Sequence, residues 1–158
     1  RAGNFIDPTR DDDVMGMLYY RSIKKGKLTA AGRPDAVQAM CYLPDWGKAA
    51  VELAEKRSEL AVFEDIPFPG HSFTTLELRD ALQDDLGRDI KITPFPWTVF
   101  NLLSPFWELA REMKEMRYLW NTPQSLGAEY FNALLPDFKP TPIKKALEIA
   151  TRHIGKSV

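Results

Sequence analysis

The amino-acid sequence predicts a mixed α/β fold, one unit over residues 1–158, with helices dominating its second half. Three observations carry this. Short apolar runs bounded by Pro, Gly and Asp alternate with helix-period segments as far as Thr93. Beyond Trp97 only helical signals recur. Leu43-Pro44-Asp45, the helical stretch after it and Leu60–Glu64 form a strand–helix–strand pattern, the unit of parallel sheets covered by helices.

Taken in order, Arg1–Ile6 reads as a strand that Asp7-Pro8 breaks, because Pro lacks a backbone donor. Asp11 to Lys24 carries Val14, Met15, Met17, Leu18 and Ile23 at spacings that fit an amphipathic helix, and Gly26 ends it. Lys27–Ala31 and Val37–Leu43 read as strands on either side of a Gly32-Arg33-Pro34-Asp35 turn. Asp45 is placed to cap a helix to about Arg57, whose apolar positions Trp46, Ala49, Ala50 and Leu53 follow the helical period. Leu60–Glu64 is the next strand, expected beside Arg1–Ile6 and parallel to it, and Pro67-Phe68-Pro69-Gly70 a rigid loop. Thr74 and Glu77 have the spacing of a capping box, and Gly87 sits where a left-handed cap belongs. Ile90–Thr93 is the last strand. Trp97–Leu103 is helical. Ser104-Pro105 reads as the start of a helix to about Trp120, Ser125 as the cap of one to Leu135, and Thr141-Pro142 as the start of one to Ile154.

Composition excludes several function classes. Lys+Arg number 21 against 22 Asp+Glu, a net charge of −1, which argues against nucleic acid as a partner. Cys41 is the only cysteine and His71 and His153 the only histidines, so neither a disulfide nor a Cys/His metal site is expected. Nothing resembles a signal peptide, and no apolar stretch approaches the roughly 18 residues of a spanning helix. The cytoplasm is the expected compartment and a membrane is not an expected partner. No phosphate-binding glycine loop and no complete catalytic motif is present.

Individual residues allow two readings each. Asn4 can contact a polar substrate group near the carboxyl end of a strand or simply close the turn onto Asp7. Gln38, Met40 and Tyr42 share one strand face, where Tyr42 is a substrate contact or a half-buried aromatic with a wet hydroxyl. His71 is a ligand contact or base, or more simply a solvated loop histidine. His153 suits a helix C-terminus. Cys41 reads as a small core residue. The aromatic stretch Phe95, Trp97, Phe100, Phe106, Trp107 and Trp120 is core, or the lining of an apolar pocket or membrane face.

Two segments carry a family resemblance. Arg1-Ala2-Gly3-Asn4-Phe5-Ile6-Asp7-Pro8 is similar to the R-P-G-N-x-(Y/F)-G-P segment of extended or atypical short-chain dehydrogenases/reductases of the NAD-dependent epimerase/dehydratase family. Tyr42 to Ala50 is similar to that family's (Y/H)-V-x-D-(L/V)-A-x-A. The stretches FPW, PFWELAREM and RYLWNTP resemble the helical tail of a bacterial subgroup.

The resemblance implies the C-terminal part of a Rossmann-type doubly wound domain, interleaved with a mostly helical substrate-binding cap. It implies NAD or NADP as the parent cofactor and a small molecule as substrate, for a reaction at a secondary alcohol or ketone. Ala2 and Gly3 correspond to positions whose backbone passes the nicotinamide, and Asn4 to a substrate contact. Tyr42 and Gln38 belong to the substrate side. Gln38 stands where sugar-nucleotide epimerases commonly carry Arg, which speaks against a nucleotide sugar. Ala2 and Asp7 replace the usual Pro and Gly. The cofactor fingerprint and the catalytic Tyr-x-x-x-Lys belong before the matched segments, and Tyr20 with Lys24 follows them, so it is not that pair. The chain alone is expected to be inactive, and to self-associate through the Arg1–Ile6 edge or the 45–57 helix. The alternative is a non-catalytic metabolite- or partner-binding domain derived from the same fold.

Overall fold

A computed structural model describes residues 1–10 and 15–155. Its strands are β1 (Asn4–Ile6), β2 (Lys27–Ala30), β3 (Gln38–Tyr42), β4 (His71–Phe73) and β5 (Lys91–Pro94). Its α-helices are α1 (Leu43–Glu55), α2 (Thr75–Leu86), α3 (Trp97–Leu103), α4 (Glu108–Met116), α5 (Glu129–Leu134) and α6 (Ile143–Gly155). One sheet has the order β1-β3-β4, and a second pairs β2 with β5. The expected class holds: the chain is mixed α/β with small, largely parallel sheets.

β1 and β3 are parallel, and the connection between them runs through helical turns at Met15–Lys25 and through β2. The helix expected from Asp11 is described from Met15, as a π turn to Tyr19 and then a 3₁₀ turn to Lys25. Gly26 ends it, as expected. The Gly32–Asp35 turn forms, with the Ala36 amide donating to the Arg33 carbonyl at 3.1 Å. The strands it joins go to different sheets.

Leu60–Glu64 is not a strand. The parallel neighbour of β1 is β3 and not this segment, which turns on itself instead, the Ala61 amide donating to the Glu64 carboxylate at 3.1 Å. Val62 and Phe63 are consequently exposed in an irregular loop.

α2 begins as its sequence dictates. The Thr74 hydroxyl accepts from the Glu77 amide at 3.1 Å, and the Glu77 carboxylate accepts from the Thr74 amide at 2.7 Å. Gly87 closes the helix at φ +61°, a left-handed conformation that a Cβ disfavours. α3 matches its expected span. Ser104 does not start the next helix: its hydroxyl donates back to the Asn101 carbonyl at 2.9 Å, and α4 begins three residues after Pro105. A 3₁₀ turn, Arg117–Trp120, continues it. Ser125 caps nothing. Its neighbour Gln124 is tied to the Val37 and Leu119 carbonyls, which holds that stretch extended until α5.

Two apolar clusters lie on opposite faces of the three-stranded sheet. One joins Ile6, Met40, Tyr42 and Phe73 to the Met15–Lys25 turns, α2, α6 and Trp120. The other joins Cys41, Ala49, Phe68, Phe131 and Leu135. Phe95 and Trp97 pack against the first cluster, so part of the aromatic stretch is core. Phe106 and Trp107 are exposed. No described helix is long and apolar enough to cross a membrane.

Candidate functional site

Strand pairing gathers the candidate residues. Asn4 lies opposite Met40 and Ile6 opposite Tyr42 across β1–β3, while Met40 lies opposite His71 and Gln38 opposite Phe73 across β3–β4. Opposed residues point to the same side of a sheet, and alternate residues share a face. Asn4, Gln38, Tyr42 and His71 therefore share one face, with Asn4, Met40 and His71 in a row across it. β1 starts at Asn4, so this residue opens the strand, and Ile6 ends it.

Gln38 is 3% exposed. Its amide nitrogen donates to the Val37 carbonyl at 3.1 Å and lies 3.4 Å from those of Leu119 and Thr122. Its Oε1 is buried and takes no hydrogen bond among the described residues. This side chain thus anchors the segment after α4 to the sheet. Tyr42 is 5% exposed and precedes α1 directly. Burial, and then the Asp45 charge, push its hydroxyl pKa up.

Asp45 was expected to cap α1 but lies inside its first turn, because α1 begins at Leu43 with Pro44 in that turn. Its carboxylate is buried and turns to Thr141, accepting the backbone amide at 2.7 Å and the hydroxyl at 2.8 Å. One carboxylate thereby ties α1 to the residue two before α6. Thr141 lies 96 positions away, and no local spacing could have revealed it.

His71 opens β4 and is half-buried, with its Nε2 enclosed and unbonded among the described residues. Burial lowers its pKa, while the Asp45 charge and the Thr141 carbonyl oppose that shift. His71 is therefore not a solvated loop residue: it opens a three-residue strand, too short for its alternation from half-buried through exposed to buried to be legible as a period in the sequence. The side chain of His153 lies outside the described residues.

Ala2 packs against the Cys41 cluster. A Cβ on Gly3 would stand 2.3 Å from the Ala39 carbonyl oxygen, so close packing on β3 alone requires glycine there. Cys41 is fully buried on the opposite face, with its thiol pushed up to about 12 by burial and then by the Asp45 charge. A thiol so held is not a nucleophile. The row offers neutral hydrogen-bonding groups, the Asn4 amide and the His71 ring, beside one buried carboxylate. Among the described residues no group of three or more His, Cys, Asp or Glu is placed to hold a metal ion.

No family model matches the chain, and no curated protein matches its sequence. Solved structures do match its fold. A GalE-like L-threonine dehydrogenase from Cupriavidus necator, in its apo form, superposes with a TM-score of 0.65 at 16% identity, over 96% of this chain and 51% of that one. L-threonine 3-dehydrogenase from Trypanosoma brucei gives 0.65 at 18% identity, over 98% of this chain and 44% of that one. A partial consensus L-threonine 3-dehydrogenase gives 0.62 at 17%, over 87% and 40%. The chain thus spans about half the length of these dehydrogenases or less, and over nearly all of its own residues it has the fold of part of a GalE-like L-threonine dehydrogenase.

Proposed function

We propose that this chain is the C-terminal, substrate-facing portion of an NAD(P)-dependent dehydrogenase, epimerase or reductase acting at a secondary alcohol or ketone. The observation that carries the reading is the parallel β1–β3 pair, flanked by R-A-G-N and Y-L-P-D segments, inside a fold shared with part of threonine dehydrogenases. Asn4 opens β1 and so lies away from the carboxyl end of that strand, and its assignment rests on the resemblance of the R-A-G-N segment. Asn4 is the substrate contact in this reading, with His71 beside it. Gln38 and Tyr42 act behind them, Gln38 holding β3 to the segment after α4 and Tyr42 packing in the apolar cluster of the same face.

The nicotinamide, when bound, supplies the hydride acceptor or donor. The residues of this chain do not fit the whole dinucleotide, because none of the described turns is a glycine-rich phosphate cradle at a helix N-terminus. Ala2 and Gly3 are assigned only a rim of the nicotinamide side. The acid/base Tyr and its Lys would lie in the part of the protein that precedes these segments.

The test is a dinucleotide-reduction assay on the full encoded protein, with a panel of secondary alcohols that includes L-threonine. Turnover by the full protein and none by residues 1–158 supports the reading. A full protein that binds no dinucleotide overturns it in favour of the non-catalytic binding domain.

A further inference from the structure

A second concavity lies apart from the Asn4–His71 row. A cleft of about 300 Å³ opens where β2 and the end of β5 meet the Met15–Lys25 turns and α3. Met17, Phe95 and Phe100 give it apolar walls, and Arg21, Ser22 and Thr29 supply its polar atoms. Its size is at the lower end of small-molecule sites, and its lining has the same mix of apolar surface with few polar groups.

Strand alternation fixes what continues from the cleft. Lys27 shares a face with Thr29, and Lys91 and Thr93 share that face with Phe95. Lys27 pairs with Lys91 in register and Thr29 with Thr93, so two lysines occupy the strand positions next to the cleft wall. Like charges placed directly across strands repel. Neither lysine, nor Arg21, forms an ion pair among the described residues. Of the three, Arg21 lines the cleft itself, and no acidic residue is among its lining.

We propose that this cleft binds a small amphiphilic carboxylate. Its apolar body lies on Phe95 and Phe100, and its carboxylate takes the Arg21 guanidinium fork at the cleft wall. A planar guanidinium matches a carboxylate in two parallel hydrogen bonds. The aromatic walls remove the apolar body from water. This assignment is independent of the dehydrogenase reading, since no residue of the Asn4–His71 row contributes to it.

The experiment is a calorimetric and NMR titration of the 158-residue chain with octanoate and with 3-phenylpropionate, which separates an acyl from an aryl body. Octanol and inorganic phosphate are the controls. Saturable binding of at least one acid is expected, weakening as salt is raised, with shifts confined to Met17–Ser22, Thr29 and Phe95–Phe100. Arg21→Gln should weaken it about fivefold or more. Met17→Ser, at a side chain already 55% exposed and so without risk to the core, should also weaken it. Arg79→Gln, which disturbs only the exposed pair with Asp80, should leave it unchanged. Octanol binding as tightly as octanoate, phosphate binding as tightly as either acid, or Arg21→Gln without effect would each overturn the proposal, as would no binding of either acid at millimolar concentration.

Discussion

Asp45 shows how far a single residue can be read from sequence. Its position after Leu43-Pro44 marks a helix start, and a helix does start there. Its role is different: it holds the Thr141 amide and hydroxyl from inside the first turn, a partner chosen by tertiary packing alone. Asp45→Ala strips a buried carboxylate and leaves both donors unsatisfied, which should cost about 1–3 kcal/mol in denaturant unfolding. Asp45→Asn, which keeps one acceptor, should cost less. The pair of variants separates lost hydrogen bonds from lost charge.

His71 gives the residue scale its pH dependence. Burial holds its pKa below the ordinary 6.5, so the native state favours the neutral ring. On acidification the unfolded chain takes up the proton first. This contribution to stability is therefore full above the ordinary histidine range and is lost as the pH falls through it. Urea midpoints at about pH 7.5 and 5.5 should differ by more in the native chain than in His71→Asn. Equal differences would contradict the burial of this ring.

At the scale of elements, legibility followed locality. The Thr74–Glu77 box is complete within four residues, and α2 begins where it says. Thr74→Ala should cost about 1 kcal/mol, measured as a shift of the unfolding midpoint. α3 and the ends at Gly26 and Gly87 were equally local. Leu60–Glu64 failed although the outer edge of β1 is free among the described residues, because a local turn, the Ala61 amide on the Glu64 carboxylate, takes the segment out of extended geometry. The parallel character of the sheet was legible, but the partner of β1 was not. Of the site, the shared face of Gln38 and Tyr42 follows from period two. The addition of His71 and the Asp45–Thr141 tie depend on contacts across the chain.

For the whole molecule, one group of the apolar residues left open lies on β1, α1 and the loop after it. Phe5 packs edge-on against Trp46, and Val51, Val62 and Phe63 are exposed, with β1 an edge strand among the described residues. Exposed apolar surface beside a bare strand edge invites association. Residues 1–158 should sediment as a concentration-dependent oligomer, and Val51→Lys with Phe63→Lys should shift it to monomer. A monomer at every concentration would mean that this surface has no need of cover.

The most direct test of the central claim is steady-state kinetics of Asn4→Ala in the full encoded protein, with cofactor affinity measured in parallel. Asn4 is assigned to the substrate and not to the dinucleotide. The account predicts a drop in kcat/KM for the alcohol or ketone of about tenfold or more, with the NAD(P) dissociation constant unchanged. An unchanged kcat/KM, or a loss confined to cofactor binding, would contradict it.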